Sequence, residues 1–177
     1  MEIKASCRYD LSSVKAFTRL SMFKKAKPEK RFILWTIVFA VLEVLLLVEM
    51  IVFGLDSELL TLAVVLGIWY LLFIYLYFLV PKIRYNAMAK LKDVENLYVF
   101  GENAVQVTTG GADMNGKSTI DYTVFVKAYE TSRYLYLFQT KNQAYIVDKS
   151  TITGGTVEEL REKLTLYLKK KYIRCRY

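Results

Sequence analysis

The sequence contains no histidine. That removes the commonest general base, the Ser–His and Cys–His nucleophile pairs, and most catalytic zinc sites. Cysteine is scarce too: Cys7 and Cys175 lie near opposite ends, so no disulfide framework is readable and a reducing compartment is expected. Residues 1–31 are polar and basic, without the apolar core of a cleavable signal, so the first long apolar run is expected to direct its own insertion. The 177 residues leave room for one small soluble domain beside any membrane segment.

What is abundant is long apolar sequence. Phe32–Phe53 and Leu59–Val80 are two runs of 22 residues each, separated by Gly54-Leu55-Asp56-Ser57-Glu58. As a helix, each would be roughly 33 Å long, enough to cross a hydrocarbon core of about 30 Å. The short link forces the two helices to return antiparallel, which predicts a membrane hairpin.

The net charge of +8 is placed unevenly. Lys24, Lys25, Lys27, Lys30 and Arg31 precede the first run, and Lys82, Arg84, Lys90 and Lys92 follow the second. The link carries only Asp56 and Glu58. Positive charge marks the cytoplasmic side, so both termini are expected inside the cell membrane and the link outside.

Two carboxylates interrupt the first run. Glu43 lies near its middle, where a charge costs roughly 2.5–3.5 kcal/mol, and Glu49 lies near its outer end. Folding the hairpin about Asp56 sets Trp69 and Tyr70 at the depth of Glu43, so a protonated Glu43 could hydrogen-bond to either. Six positions separate Glu43 from Glu49, placing them about 120° apart, so one of them could face a second copy of the chain. An ion or proton relay and a polar tie between helices are both compatible with these residues. The second helix offers no matching polar set to line a pathway, which favours the tie.

Residues 2–9 alternate loosely, which suits one strand, and Asp10 precedes a short amphipathic helix carrying Leu11, Val14 and Phe17. That helix could lie on the membrane surface or pack on the soluble domain. Residues 81–96 are basic and helix-permissive and read as a continuation of the second helix or a short stalk. Beyond it the period changes to two: 97–100, 104–109, 119–122, 124–129, 133–139 and 144–148 are strand-like, with tight turns at Gly101-Glu102-Asn103 and Lys141-Asn142-Gln143. Successive short strands argue a curled antiparallel sheet or small barrel. Glu130, at the end of one strand, is expected to satisfy turn amides or pair with Arg133, or to mark a recognition edge. Thr156-Val157-Glu158-Glu159 is a capping box that opens a helix with Val157, Leu160, Leu164 and Leu168 on its inner stripe and Arg161 away from it. The basic tail from Lys169 suits anionic lipid or simply a solvated helix end, and no surface for reading nucleic acid is evident.

Gly111-Ala112-Asp113-Met114-Asn115-Gly116-Lys117-Ser118 matches the phosphate-binding loop pattern letter for letter. That chemistry needs a helix to begin at Lys117-Ser118, whereas β-branched and aromatic residues follow. Gly110-Gly111 and Asn115-Gly116 read better as turn residues between strands.

Past Leu97 stand Ser118-Thr-Ile-Asp-Tyr122, Lys127-Ala-Tyr-Glu-Thr131, Tyr134-Leu-Tyr-Leu-Phe138, Gln143-Ala-Tyr-Ile-Val-Asp-Lys149 and the Gly155-Thr156 helix start. In these motifs the chain resembles the YcxB-like family of bacterial membrane proteins. It implies a pleckstrin-homology-like (PH-like) domain, a bent antiparallel sheet closed by a C-terminal helix at the inner membrane face, with no catalytic residues and no cofactor.

The expected architecture is therefore a membrane α-helical hairpin plus an α+β domain with a bent sheet or small PH-like barrel. The segments are 1–31 (strand and amphipathic helix), 32–53 and 59–80 (membrane helices), 54–58 (external turn), 81–96 (stalk) and 97–177 (cytoplasmic domain). The expected function is non-enzymatic binding or scaffolding, with the bilayer, a protein segment or anionic lipid headgroups, and a second copy as partners. The alternative is a small transport or membrane-stress component that oligomerises through Glu43 and Glu49.

Overall fold

The structure, a computed structural model, describes residues 2–22, 28–54, 56–88, 92, 94–111 and 115–175. Lys24, Lys25, Lys27 and Lys90, the turn centre at 112–114, and Arg176 with Tyr177 lie outside the described residues.

Alternation near the N-terminus produces β1 (Ile3–Arg8), whose Ile3, Ala5 and Cys7 all face the core. Its antiparallel neighbour is β2 (Glu95–Phe100), with Ile3 opposite Phe100 and Arg8 opposite Glu95. The whole apolar hairpin is thus inserted between two hydrogen-bonded strands. A tight turn, closed by Gly101 N–H on the Ala104 carbonyl at 2.9 Å, leads into β3 (Ala104–Gly110), and β4 (Asn115–Asp121) completes a sheet ordered β1-β2-β3-β4.

The second sheet is ordered β7-β6-β5-β8. Its members are β5 (Lys127–Glu130), β6 (Tyr134–Phe138), β7 (Ala144–Asp148) and β8 (Tyr172–Arg174), the last running parallel to β5. All five residues of β6 are buried, which is why that strand shows no polar alternation. The expected strand over 124–129 is displaced. The chain makes a 3₁₀ turn at Tyr122–Val124 to pass from one sheet to the other, pinned by the Tyr122 hydroxyl on the Gly101 carbonyl at 3.0 Å.

Two four-stranded sheets thus replace the single bent sheet, and they do not close into a barrel. The domain is α+β. The capping box forms as expected, with Thr156 and Glu159 bonded reciprocally at the start of α5, the helix Val157–Leu168. Leu160, Leu164 and Leu168 enter the common core with Phe100, Phe125 and Leu137. The entrance to this helix is crowded. A Cβ at Gly154, whose φ is +72°, would run into the Glu2 carbonyl oxygen, so only glycine suits that position.

The amphipathic helix is α1 (Leu11–Met22), capped by Asp10, whose carboxylate accepts from Ser13 N–H at 2.7 Å. Phe17 packs on Tyr136 and Phe138, each with ring centroids 5.9 Å away. On the other side α1 lies along the far end of the apolar hairpin, where the Arg19 guanidinium sits 3.9 Å over the Tyr77 ring. Helix α1 therefore packs on the folded domain and the hairpin together.

The hairpin itself is α2 (Pro28–Phe53) and α3 (Ser57–Ile74). Gly54 leaves the first helix with φ +95°, and Asp56 caps the second by accepting from Glu58 N–H at 3.2 Å. Helix α3 does not stop at Val80. It passes through one π-helical turn, Tyr75–Leu79, into α4 (Val80–Ala87), so the helix runs unbroken into the expected stalk. Pro81 cannot donate to the carbonyl of Tyr77 and crowds it, and the wider π turn accommodates that misfit. Leu34–Phe53 and Ser57–Ala87 are both long and apolar enough to cross a membrane.

Candidate functional site

The residues singled out in the apolar runs separate. Glu43 is half-buried against α3, where its Oε1 lies 3.4 Å from the position a Cβ would take at Gly67. Glycine at 67 makes the room that this carboxylate occupies. Glu49 is exposed on α2. Tyr70 instead joins Trp35, Phe39, Trp69 and Phe73 around an apolar recess of about 180 Å³. Among the described residues Glu43 and Tyr70 are not hydrogen-bonded to one another.

In the folded domain the charges find one another. Glu130 is 2% exposed, and its carboxylate accepts from Arg161 Nε and Nη2 at 2.8 Å each, from Lys149 Nζ at 3.0 Å and from the Tyr172 hydroxyl at 2.7 Å. Burial alone would raise the pKa of this carboxyl. The hydrogen bonds from Arg161, Tyr172 and Lys149, with the Lys149 charge, outweigh burial and hold its pKa at about 2. The expected partner, Arg133, is bound elsewhere: its Nε and Nη2 reach Asp148 at 3.2 and 3.1 Å. Arg161, read as solvent-facing, turns inward because α5 crosses the end of β5. This cluster ties α5, β5, β8 and the turn after β7 together, a structural task.

The phosphate-loop match dissolves in the same way. Lys117 and Ser118 lie within β4, opposite Thr108 and Val107 of β3, so no helix begins there to present amides to a phosphate.

A different site emerges where the sheets meet the hairpin. A half-open cleft of about 250 Å³ is bounded by Tyr9 at the end of β1, Val14 and Phe17 of α1, Met88 just past α4, and the β6–β7 connection from Gln139 to Ile146. The connection is held rigidly, because the Thr140 hydroxyl accepts from Asn142 N–H at 3.3 Å and Gln143 N–H at 3.1 Å. Three amide side chains, Gln139, Asn142 and Gln143, line its rim, and aromatic rings line its walls. Among the described residues no charged side chain does so.

Behind those walls sits a buried polar group. Tyr98 is 1% exposed and Asn96 is 4% exposed, and the Asn96 side chain lies within hydrogen-bonding reach of the Tyr98 and Tyr9 hydroxyls. The Tyr98 ring stands edge-on to Tyr145, centroids 6.3 Å apart. Burial, with Cys7 and Tyr145 nearby, pushes the Tyr9 hydroxyl up to about 12, and burial raises Tyr98 well above its ordinary range. These hydroxyls are therefore neutral donors and acceptors throughout the physiological range.

Residues 100–164 match the family model described as YcxB-like protein. The YcxB-like resemblance is thus shown for this stretch, which includes the whole β6–β7 side of the cleft. No curated protein and no solved structure matches the chain. Tyr9, Val14, Phe17 and Met88 lie outside the YcxB-like stretch, so the cleft is assembled from both sides of the hairpin insertion. Sequence reading missed it because four separate segments supply it. The one available signal was the amide-rich run Gln139…Asn142-Gln143, which reads equally well as an ordinary turn.

Proposed function

We propose that this protein is a non-enzymatic, membrane-anchored binding module whose YcxB-like domain faces the cytoplasm. The observation that carries this reading is the insertion of the apolar hairpin between the paired strands β1 and β2, with a cleft at the junction. An element bound in that cleft would touch α1, the end of α4 and the sheet at once, so recognition and anchoring belong to one rigid unit. Two four-stranded sheets with a C-terminal helix packed into their core support a PH-like classification of the domain.

The plasma membrane is the proposed location, with both termini inside. Supporting this, Lys82 and Arg84 are exposed beyond one end of the hairpin, whereas Asp56 and Glu58 occupy its tip. At 1.5 Å per residue the 31-residue segment Ser57–Ala87 exceeds a hydrocarbon core by roughly 16 Å, which sets Met88 among the headgroups or just beyond. A reporter active only outside the cell, fused after Tyr177, should stay silent.

The binding role is tested by a photo-crosslinking residue at Asn142 in intact membranes. Capture of a discrete species, lost when the probe is moved to the exposed Glu102 on the β2–β3 turn, is the expected result. Equal and diffuse capture from both positions would remove the binding reading.

A further inference from the structure

We infer that the folded domain pairs with a second copy of itself along β4, an interface independent of the junction cleft. The first sheet ends on this strand, which has β3 on one side and, among the described residues, no neighbour on the other. The opposite edge is closed instead, since Lys4 of β1 exchanges both backbone hydrogen bonds with Thr153 at 2.8 Å. The 7 residues of β4 pair with β3 without a bulge and include no proline, and Asn115–Thr119 are exposed on both faces. Such an edge is a template for another strand.

The ladder shows which backbone groups this edge offers. Tyr122 N–H donates to the Asn103 carbonyl at 3.2 Å, and alternation from that bond turns the N–H and C=O of Gly116, Ser118 and Ile120 toward β3. Those of Lys117, Thr119 and Asp121 therefore point outward. The side chains of the same three residues share the exposed face, opposite the buried Ile120. Their β3 neighbours are Thr108, Gln106 and Ala104, so neither charge meets an opposite charge across that strand pair. A lysine alone deters edge pairing; with Asp121 four positions on, it selects a register. A two-fold axis at Lys117 sets lysine against lysine, and one at Asp121 sets aspartate against aspartate. An axis at Ser118 leaves Asp121 facing Asn115, and one at Ile120 leaves it facing Thr119. With the axis at Thr119, each Lys117 faces an Asp121 of the other copy, and every outward-pointing pair exchanges backbone hydrogen bonds. That axis stands perpendicular to the sheet, so two copies in one bilayer pair with their sheets lying along it.

Thr119→Cys in the full chain, in native membranes, tests this register. In a hydrogen-bonded antiparallel pair the two Cα atoms at the axis lie about 5.5 Å apart, within disulfide reach, so mild oxidation should yield a covalent dimer. The unaltered chain, with Cys7 and Cys175 in place, sets the background. Gln106→Cys, on the exposed face of β3 one strand inward, should not rise above it. On the Thr119→Cys background, Lys117→Glu and Asp121→Lys should each cut the dimer yield about tenfold. The double exchange Lys117→Glu/Asp121→Lys should restore it. Within one chain the two positions lie roughly 13 Å apart along the strand, too far to pair, so restoration reports contact between copies. Both side chains are exposed, and the restored double variant shows that loss in the single ones is not loss of fold. No dimer from Thr119→Cys above background, an equal yield from Gln106→Cys, or a double exchange no better than the single ones would overturn the proposal. A crosslink to a species of another mass would overturn it too, and would give this edge to a different protein.

Discussion

The apolar hairpin and the folded domain solve the same problem, a buried carboxylate, in opposite ways. In the domain, Glu130 is ringed by Arg161, Lys149 and Tyr172 and remains ionised down to about pH 2. In the hairpin, Glu43 has only the space left by Gly67 and no cation within α2 or α3 beyond the helix ends. The difference teaches that the carboxylate in the domain is fixed by a network drawn from four elements, whereas the carboxyl in the hairpin is accommodated through missing bulk. A network is brittle when one member is lost. A tolerated group is not.

The sharpest way to break the comparison is at Glu130. Glu130→Gln leaves Arg161 and Lys149 facing each other without a counter-charge, and should lower the stability of the domain by about 3–5 kcal/mol in urea unfolding of the full chain in nanodiscs. Protonation offers a gentler version. Because the folded state depresses this pKa from 4.5 to about 2, the stabilisation is complete above roughly pH 4.5 and drains away as pH falls toward 2. The loss should amount to about 3 kcal/mol, and the slope should flatten in Glu130→Gln.

Next in size is the helix entrance. Gly154→Ala forces a side chain into a positive-φ position and against the Glu2 carbonyl, and should cost about 2–3 kcal/mol with no change in helix content of the hairpin by circular dichroism. A smaller gain is expected at the other end of α5. Lys169 is exposed and holds φ +47°, so Lys169→Gly should raise stability by about 1 kcal/mol. The smallest effect belongs to the hairpin. Glu43→Gln should alter stability and self-association by less than about 1 kcal/mol, measured by unfolding and by analytical ultracentrifugation in detergent. A larger loss would make Glu43 the interhelical tie that the sequence favours and erase the contrast with Glu130.

Local features were legible in the sequence where a single segment determines them. The two apolar runs, the Asp10 cap, the Thr156–Glu159 capping box and the Leu160/Leu164/Leu168 stripe all depend on spacing within one stretch. The strand-like continuation at Lys117-Ser118 was legible for the same reason. What could not be read depends on partners brought from afar. Near Glu130 the sequence offers only turn amides, Arg133 three positions away or a recognition edge, yet its partners come from α5, β8 and the turn after β7. The sheets were expected as one bent sheet, because alternation shows where strands are and says nothing of a change of sheet at Tyr122–Val124. The apolar run ends at Val80 and a helical continuation or a stalk was expected beyond it; the helix does continue to Ala87, but the π turn that carries it past Pro81 is invisible to a 3.6-residue pattern. The junction cleft was least legible of all, being built from β1, α1, α4 and the β6–β7 turn.

The placement of β1 ahead of the hairpin also has a temporal meaning. As the chain leaves the ribosome, Ile3–Arg8 is made first and its neighbour Glu95–Phe100 only after both oily helices, so the sheet stays open-edged while they are synthesised. In the proposed setting, lipid insertion comes before the domain can seal.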